Sequence, residues 1–106
     1  MGATGYFTHP QCMKHEMGAG HPECPERLSA IEDRLLVTGL DMALQRREAG
    51  PAALADIELA HGRMHVAALR GLSDVLRDDV AAGGPSHTAL DSDTSINVHT
   101  WEAALL

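Results

Sequence analysis

The stretch "HEMGAGHPECPERLSAIEDRLLVTGL", residues 15–40, joins an irregular segment rich in glycine and proline to a segment with helical periodicity. Pro25 suits the first turn of a helix, because the N–H that proline lacks has no intrahelical partner there. Three apolar residues then recur at the spacing of one helix face: Leu28, Ile31 and Leu35. Gly39 favours the end of this helix. The stretch therefore predicts a loop followed by an amphipathic helix that stops at residue 39.

Two strand candidates flank this loop and helix. Residues 4–8 include two of the three aromatic residues of the chain and end before Pro10, which restricts the backbone. Residues 42–49 form a weaker candidate. Residues 11–24 show no period, so we expect an irregular loop between the first strand and the helix.

The middle of the chain is predicted to be helical. Gly50-Pro51 opens one helical region, and a longer one follows up to the break at residues 83–85. Gly71 interrupts the longer region and weakens the case for one straight helix. The apolar stripe that defines this region consists of Val66, Leu69, Leu72 and Leu76.

The last part of the chain predicts a polar loop around residues 91–93 and then a short apolar helix. Thr100 has the chemistry of an N-cap for a helix over residues 101–106. Six residues make under two turns, and an isolated helix of that length does not sustain itself. We therefore expect the chain to be an N-terminal piece of something longer, and to fold poorly by itself.

Composition narrows the classes of function. The chain has 106 residues, a formal charge of −7 and eight scattered basic residues, which disfavours nucleic acid as a partner. No apolar run approaches the length of a membrane span. Two cysteines without a signal peptide favour a reducing compartment, so the predicted localisation is cytoplasmic.

A cluster of histidines and cysteines raises the question of a metal site. Its members occur at intervals of three, three, six and three residues: His9, Cys12, His15, His21 and Cys24. These are zinc-ligand residue types, but the spacer between the two close pairs is short and prolines constrain each pair. We favour loop residues packed beneath a larger site over a metal centre.

Residues 15–40 closely resemble the N-terminal loop and first helix of the histone deacetylase superfamily, including its bacterial deacetylase-like and acetylpolyamine amidohydrolases. "IELAHGRMHVAAL" and "LDSDTSINVHTWEAALL" resemble two further segments of that family in the same order. In the first of these, His61 matches the family histidine, whereas His65 stands where the family has tyrosine. The matching residues of the first stretch are Gly20, His21, Pro22, Glu23, Arg27, Leu28, Gly39 and Leu40.

The resemblance implies an α/β fold of the three-layer arginase/deacetylase type, with a mainly parallel central sheet. Residues 1–106 would be the N-terminal, helix-rich portion of a single catalytic domain. That domain would hydrolyse acetyl-lysine or another acetylated amine with one zinc ion, which in the family is held by two aspartates and a histidine. The sequence contains neither the family's Gly-His-His nor an Asp-x-His. The resemblance therefore implies no catalytic residue, no bound zinc and no activity in this chain alone.

Only peripheral roles carry over to individual residues. Arg27 matches an arginine near an internal passage for the acetate product, where a guanidinium suits a carboxylate; a helix N-terminal arginine that binds loop carbonyls is the alternative. Asp93, within two residues, matches a rim position that accepts hydrogen bonds from the substrate backbone; an aspartate that shapes a turn is the alternative. His21 and Pro22 would form the loop that walls the pocket. His87 and His99, which lie in polar loop sequence, are expected to be solvated.

A second class of function stays open at this stage. The chain could be a small non-enzymatic module that binds a metal or a protein partner through His9, Cys12, His21 and Cys24. The sequence does not specify an oligomeric state or the acyl substrate.

Overall fold

Helices and short strands alternate along the chain in the computed structural model, which describes residues 2–106. The first half contains β1, α1 and β2, with a 3₁₀ helix after β1 and another before β2. The second half contains two helices, a small hairpin and a last helix. The bounds are β1 Thr4–Thr8, 3₁₀ Pro10–Lys14, α1 Glu26–Thr38, 3₁₀ Leu40–Ala43, β2 Leu44–Glu48, α2 Leu54–Ile57, α3 Arg63–Ala81, β3 Thr88–Ala89, β4 Ser95–Ile96 and α4 Thr100–Ala104.

The two predicted strands pair in parallel, with α1 in the connection between them. The register runs from Thr4 opposite Leu44 to Thr8 opposite Glu48, and the N–H of Ala49 extends it by donating to the carbonyl of Thr8 at 2.9 Å. Parallel strands need such a crossover of a dozen or more residues. The α/β class is therefore confirmed, with a small parallel sheet of two strands.

Helix α1 has the predicted ends. Pro25 precedes its first residue, and Gly39 closes it with φ +76°, from which its N–H donates to the carbonyl of Leu36 at 3.2 Å. Open space surrounds the missing side chain of Gly39, so the backbone conformation alone explains the glycine.

A charged cluster joins α1 to the sheet. Both terminal nitrogens of the Arg46 guanidinium donate to Glu32 on α1, at 3.2 and 2.7 Å, and its Nε donates to Asp41 at 2.7 Å. The same guanidinium lies over the ring of Tyr6, 5.2 Å from its centroid. The pKa of Glu32 is lowered chiefly by the hydrogen bonds from Arg46, and partial burial is the main reason that the pKa of Tyr6 is raised. This cluster links α1 to β2 and to the ring of Tyr6 on β1.

The prediction of an irregular loop over residues 11–24 is wrong at its start. A 3₁₀ helix covers Pro10–Lys14, because the side chain of His9 accepts a hydrogen bond from the N–H of Gln11 at 3.0 Å and caps it. Proline suits the first position of such a turn.

Three further predictions need correction in the second half of the chain. Helix α2 is a single turn that begins at Leu54, later than Gly50-Pro51. Helix α3 runs without interruption through Gly71, since the surrounding apolar stripe outweighs one glycine. Thr100 is the first residue of α4 and not its N-cap, which is His99.

The region around residues 91–93 is a turn, as expected, but it connects two strands that the sequence did not indicate. β3 and β4 pair antiparallel over two residues each, which is too short for a period-2 pattern to show. Asp91 shapes the turn by accepting the N–H of Asp93 at 2.8 Å. This hydrogen bond is the first cause of the lowered pKa of Asp91.

The core is small. The buried apolar residues of the described part are Val66, Leu76 and Ile96. The accessible surface is 7463 Å², whereas a compact monomer of this mass exposes about 5,700 Å². The radius of gyration is 16.2 Å, against about 13 Å for a compact domain of this length. Residues 2–106 are therefore more extended than a compact domain, and they leave large apolar side chains exposed, among them Val37, Met42 and Leu59.

Among residues 2–106, none of the helices has the combined length and apolar character that crossing a bilayer requires.

Candidate functional site

The segment before α1, residues 15–24, is called here the histidine loop. Gly18 and Gly20 adopt positive φ angles of 108° and 79°, which turn the loop sharply before His21. The imidazole Nδ1 of His21 accepts the N–H of Glu23 at 3.0 Å. A neutral imidazole with an acceptor at Nδ1 carries its proton at Nε2. His21 is therefore a donor at its outer nitrogen.

The structure brings His21 together with Asp93, and both were predicted as site residues. His21 Nε2 lies 3.1 Å from the carbonyl oxygen of Asp93 and 3.3 Å from its Oδ1. The two residues are 72 positions apart in the sequence. The contact joins the histidine loop to the turn between β3 and β4, residues 90–94, called here the hairpin turn. Pro22 lies in the same loop, directly after His21.

Arg27 lies on the first turn of α1. Its Nε is 3.6 Å from one carboxylate oxygen of Glu23, and the other oxygen of Glu23 is 3.6 Å from Nε2 of His15. The side chain of Arg27 is 60% exposed, so this pair contributes little stability. Arg27 also lines an open cleft of about 350 Å³ together with Cys12 and Thr100. Its predicted place beside a product passage stays a prediction.

Asn97 is a buried polar residue beside the histidine loop that the sequence did not indicate. It is 6% exposed, and its Nδ2 donates to the carbonyl of Lys14 at 2.8 Å. Its Oδ1 accepts from the N–H of His99 at 3.0 Å and from the hydroxyl of Thr100 at 3.1 Å. The hydroxyl of Thr100 also lies 2.8 Å from Nδ1 of His15. Asn97 thus ties the first 3₁₀ helix to α4, and its position three residues before a threonine was the available signal.

A second cross-loop pair joins Glu16 to His87. The carboxylate of Glu16 meets Nε2 of His87, and its other oxygen accepts the N–H of Gly18 at 2.8 Å. The hydrogen bond from Gly18 is the main reason that the pKa of Glu16 is lowered, and His87 lowers it further. The expectation that His87 is solvated is wrong, because its Nε2 contacts Glu16. The two residues are 71 positions apart, and no sequence pattern indicates their contact.

The motif His-Pro-x-Cys occurs twice in the chain, at residues 9–12 and 21–24. In both copies the histidine Nδ1 accepts the N–H of the residue two positions later, at 3.0 Å. In both, Nε2 faces a carboxylate remote in the sequence: Glu48 at 3.4 Å for His9, and Asp93 at 3.3 Å for His21. The two copies are therefore equivalent local structures with different partners.

These residues do not form a metal centre. Within residues 2–106, no group of three or more histidine, cysteine, aspartate or glutamate side chains is placed to hold a metal ion. His9, Cys12, His21 and Cys24, the ligands of the alternative metal-binding module, are not assembled into such a group, and both cysteines are free thiols. The side chains described here do not fit a zinc ion.

A separate cavity of about 190 Å³ lies between α2, α3 and α4. His61 and His65, both from the second resembling segment, line it with their ring centroids 5.9 Å apart. Trp101 and Leu105 form the wall on the side of α4. The walls are mainly apolar, so this cavity is a packing surface without a catalytic constellation.

Comparison with solved structures identifies the fold. The structure is similar to the HDA15 HD domain, known from a crystal structure, with a TM-score of 0.75 and 24% sequence identity. The match covers 98% of this chain and 28% of that chain. The sequence matches no protein-family model and no curated protein. Residues 2–106 therefore have a histone deacetylase-like fold that spans 28% of the length of the solved chain.

Proposed function

We propose that residues 1–106 are the N-terminal portion of a single deacetylase-like catalytic domain. The complete domain would hydrolyse acetyl-lysine or another acetylated amine, as the bacterial acetylpolyamine amidohydrolases that the sequence resembles do. The observation that carries the proposal is the fold similarity, which extends over 98% of the chain but only 28% of the HDA15 HD domain. The uncovered apolar surface supports it, since further strands and helices of such a domain would bury that surface.

In this proposal the chain supplies walls and supports, and the chemistry lies elsewhere. Zinc would polarise the acyl group and activate water in the complete domain. The described residues do not fit zinc, so we assign them no step of the reaction. His21 and Pro22 wall the pocket, Asp93 lies at its rim and Arg27 faces the product passage. The chain alone is expected to be inactive and to bind no zinc.

The proposal is tested first by translating the DNA beyond the codon of Leu106 in all three frames. A Gly-His-His and an Asp-x-His in one continuing frame are expected. The extended protein should then contain about one zinc per chain and release acetate from an acetyl-lysine peptide or an acetylated polyamine. A stop codon followed by unrelated sequence would contradict the proposal. So would acetate release by the 106-residue chain itself.

The same assay should include the 106-residue chain as a control for metal binding. After mild dialysis, its zinc content is expected to be far below one per chain. Stoichiometric zinc would instead favour the metal-binding module.

A further inference from the structure

The contact between His21 and Asp93 has a geometry that separates it from an ordinary surface pair. We propose that His21 is a positioning residue that latches the hairpin turn to the histidine loop and thereby orients the carboxylate of Asp93. The inference rests on the proposed function only for the use of Asp93 at the pocket rim. The latch itself depends on the described contacts alone.

The hydrogen bond from Glu23 decides which imidazole nitrogen of His21 carries the proton. The N–H of Glu23 points at Nδ1 of His21 from 3.0 Å, and a backbone N–H can only donate. Nδ1 must therefore accept, and Nε2 carries the proton. The local turn of the histidine loop thus sets the tautomer that makes His21 a donor toward the hairpin turn.

Asp93 supplies two acceptors for the proton on Nε2 of His21. His21 faces both the carbonyl oxygen and Oδ1 of Asp93, at 3.1 and 3.3 Å. The N–H of Asp93 is held at the same time by Asp91 Oδ1 at 2.8 Å. The backbone and one carboxylate oxygen of Asp93 are therefore fixed, while its side chain is 92% exposed. Such a residue presents its other carboxylate oxygen outward, where it can accept an N–H of a peptide substrate.

The exposure of Asp93 determines how much the latch contributes to the stability of the fold. Pairs this exposed contribute little to stability, so the latch is expected to change local geometry and exchange without changing overall stability. The first His-Pro-x-Cys copy provides a matched control. His9 has the same internal hydrogen bond, but its Nε2 faces Glu48 on β2 and not the hairpin turn.

The test is NMR on the protein in the longest form that its reading frame encodes, with ring ¹⁵N shifts and amide hydrogen exchange as readouts. The ring of His21 should show the tautomer protonated at Nε2. His21→Ala should speed exchange of the Asp93 amide about three- to tenfold, the factor that one ordinary hydrogen bond supplies. His9→Ala should leave that amide unchanged. Asp93→Asn, which keeps both acceptors and cannot unfold a core, should also leave exchange unchanged.

Three outcomes would overturn the latch: a His21 ring protonated at Nδ1 or averaging between tautomers, an Asp93 amide insensitive to His21→Ala, or equal effects of His9→Ala and His21→Ala. None of these readouts requires zinc or turnover. Failure of the proposed function would appear in the acetate-release assay and would leave the NMR result standing, so the two failures are distinguishable.

Discussion

Asn97 offers the sharpest test of how the candidate site is held together. Replacement by alanine removes three side-chain hydrogen bonds, to the carbonyl of Lys14, the N–H of His99 and the hydroxyl of Thr100. Each such bond contributes about 0.5–1.5 kcal/mol net, and the carbonyl of Lys14 lies at an exposed residue where water replaces part of the loss. We therefore expect Asn97→Ala to lower the free energy of unfolding by about 2–3 kcal/mol.

The assay is urea denaturation followed by far-ultraviolet circular dichroism. The midpoint should fall while the slope with urea stays the same, because the mutation removes contacts without changing the surface exposed on unfolding. Thr100→Ser keeps the hydroxyl and serves as the conservative control, with a loss below about 1 kcal/mol.

A double-mutant cycle tests the shared network. One hydrogen bond, from the hydroxyl of Thr100 to Oδ1 of Asn97, is lost in both mutants, so the losses for Asn97→Ala and Thr100→Val should be non-additive by about 1 kcal/mol. Additive effects, within about 0.3 kcal/mol, would show that the two residues do not act as one unit and would refute the reasoning.

Three further predictions follow from burial, backbone conformation and charge. Leu76→Ala, at a residue 3% exposed, should cost about 2–5 kcal/mol, whereas the same change at Leu36, 69% exposed, should stay within about 0.5 kcal/mol in urea melts. Gly39→Ala should destabilise the fold by about 1 kcal/mol because φ at this residue is +76°. Gly71→Ala, inside α3 with open space around it, should stabilise the fold by up to about 1 kcal/mol. Thermal melts that show the same sign for both mutants would contradict the explanation from backbone conformation. The pKa of Glu16 is lowered on folding, so its carboxylate stabilises the folded state at pH values above its ordinary pKa of 4.5. This stabilisation is lost as the pH falls through the lower pKa of the folded state. Urea midpoints measured from pH 6 to 3 should therefore drop below about pH 4.5, and Glu16→Gln should flatten that drop.

The sequence predicted the elements whose cause is local. The strand at residues 4–8 and the helix closed by Gly39 follow from β propensity, periodicity and a left-handed cap, all of which are read within a few residues. The 3₁₀ helix Pro10–Lys14 was missed although its cause is equally local. Its signal is a histidine that caps its own turn, a chemistry outside the usual set of capping residues.

The candidate site was predictable only in part, because its contacts join distant residues. His21 and Asp93 were each identified through a family resemblance, but their contact across 72 positions was not. His87 and Glu16 lie 71 positions apart and carry no pattern that links them. Each is a single side-chain pair, so neither periodicity nor composition records it. The spacing of three residues between Asn97 and Thr100 indicates their hydrogen bond, but nothing in the sequence indicates the hydrogen bond from Asn97 to the carbonyl of Lys14.

The apolar residues of α1 are covered only in part. Periodicity marked Leu28, Ile31 and Leu35 as one face, yet Ile31 is 39% exposed and the other two are only half-buried. On the opposite side of the helix Val37 is 78% exposed, and Met42, just beyond the helix, is 92% exposed. An apolar stripe at helical spacing normally lies against a neighbour, since its burial is the main source of helix stability. The accessible surface exceeds that of a compact monomer by about 1,700 Å², which is about twice the roughly 800 Å² that one partner buries in a standard protein–protein interface. Helix α1 therefore carries apolar side chains on two sides, and residues 2–106 cover them only in part.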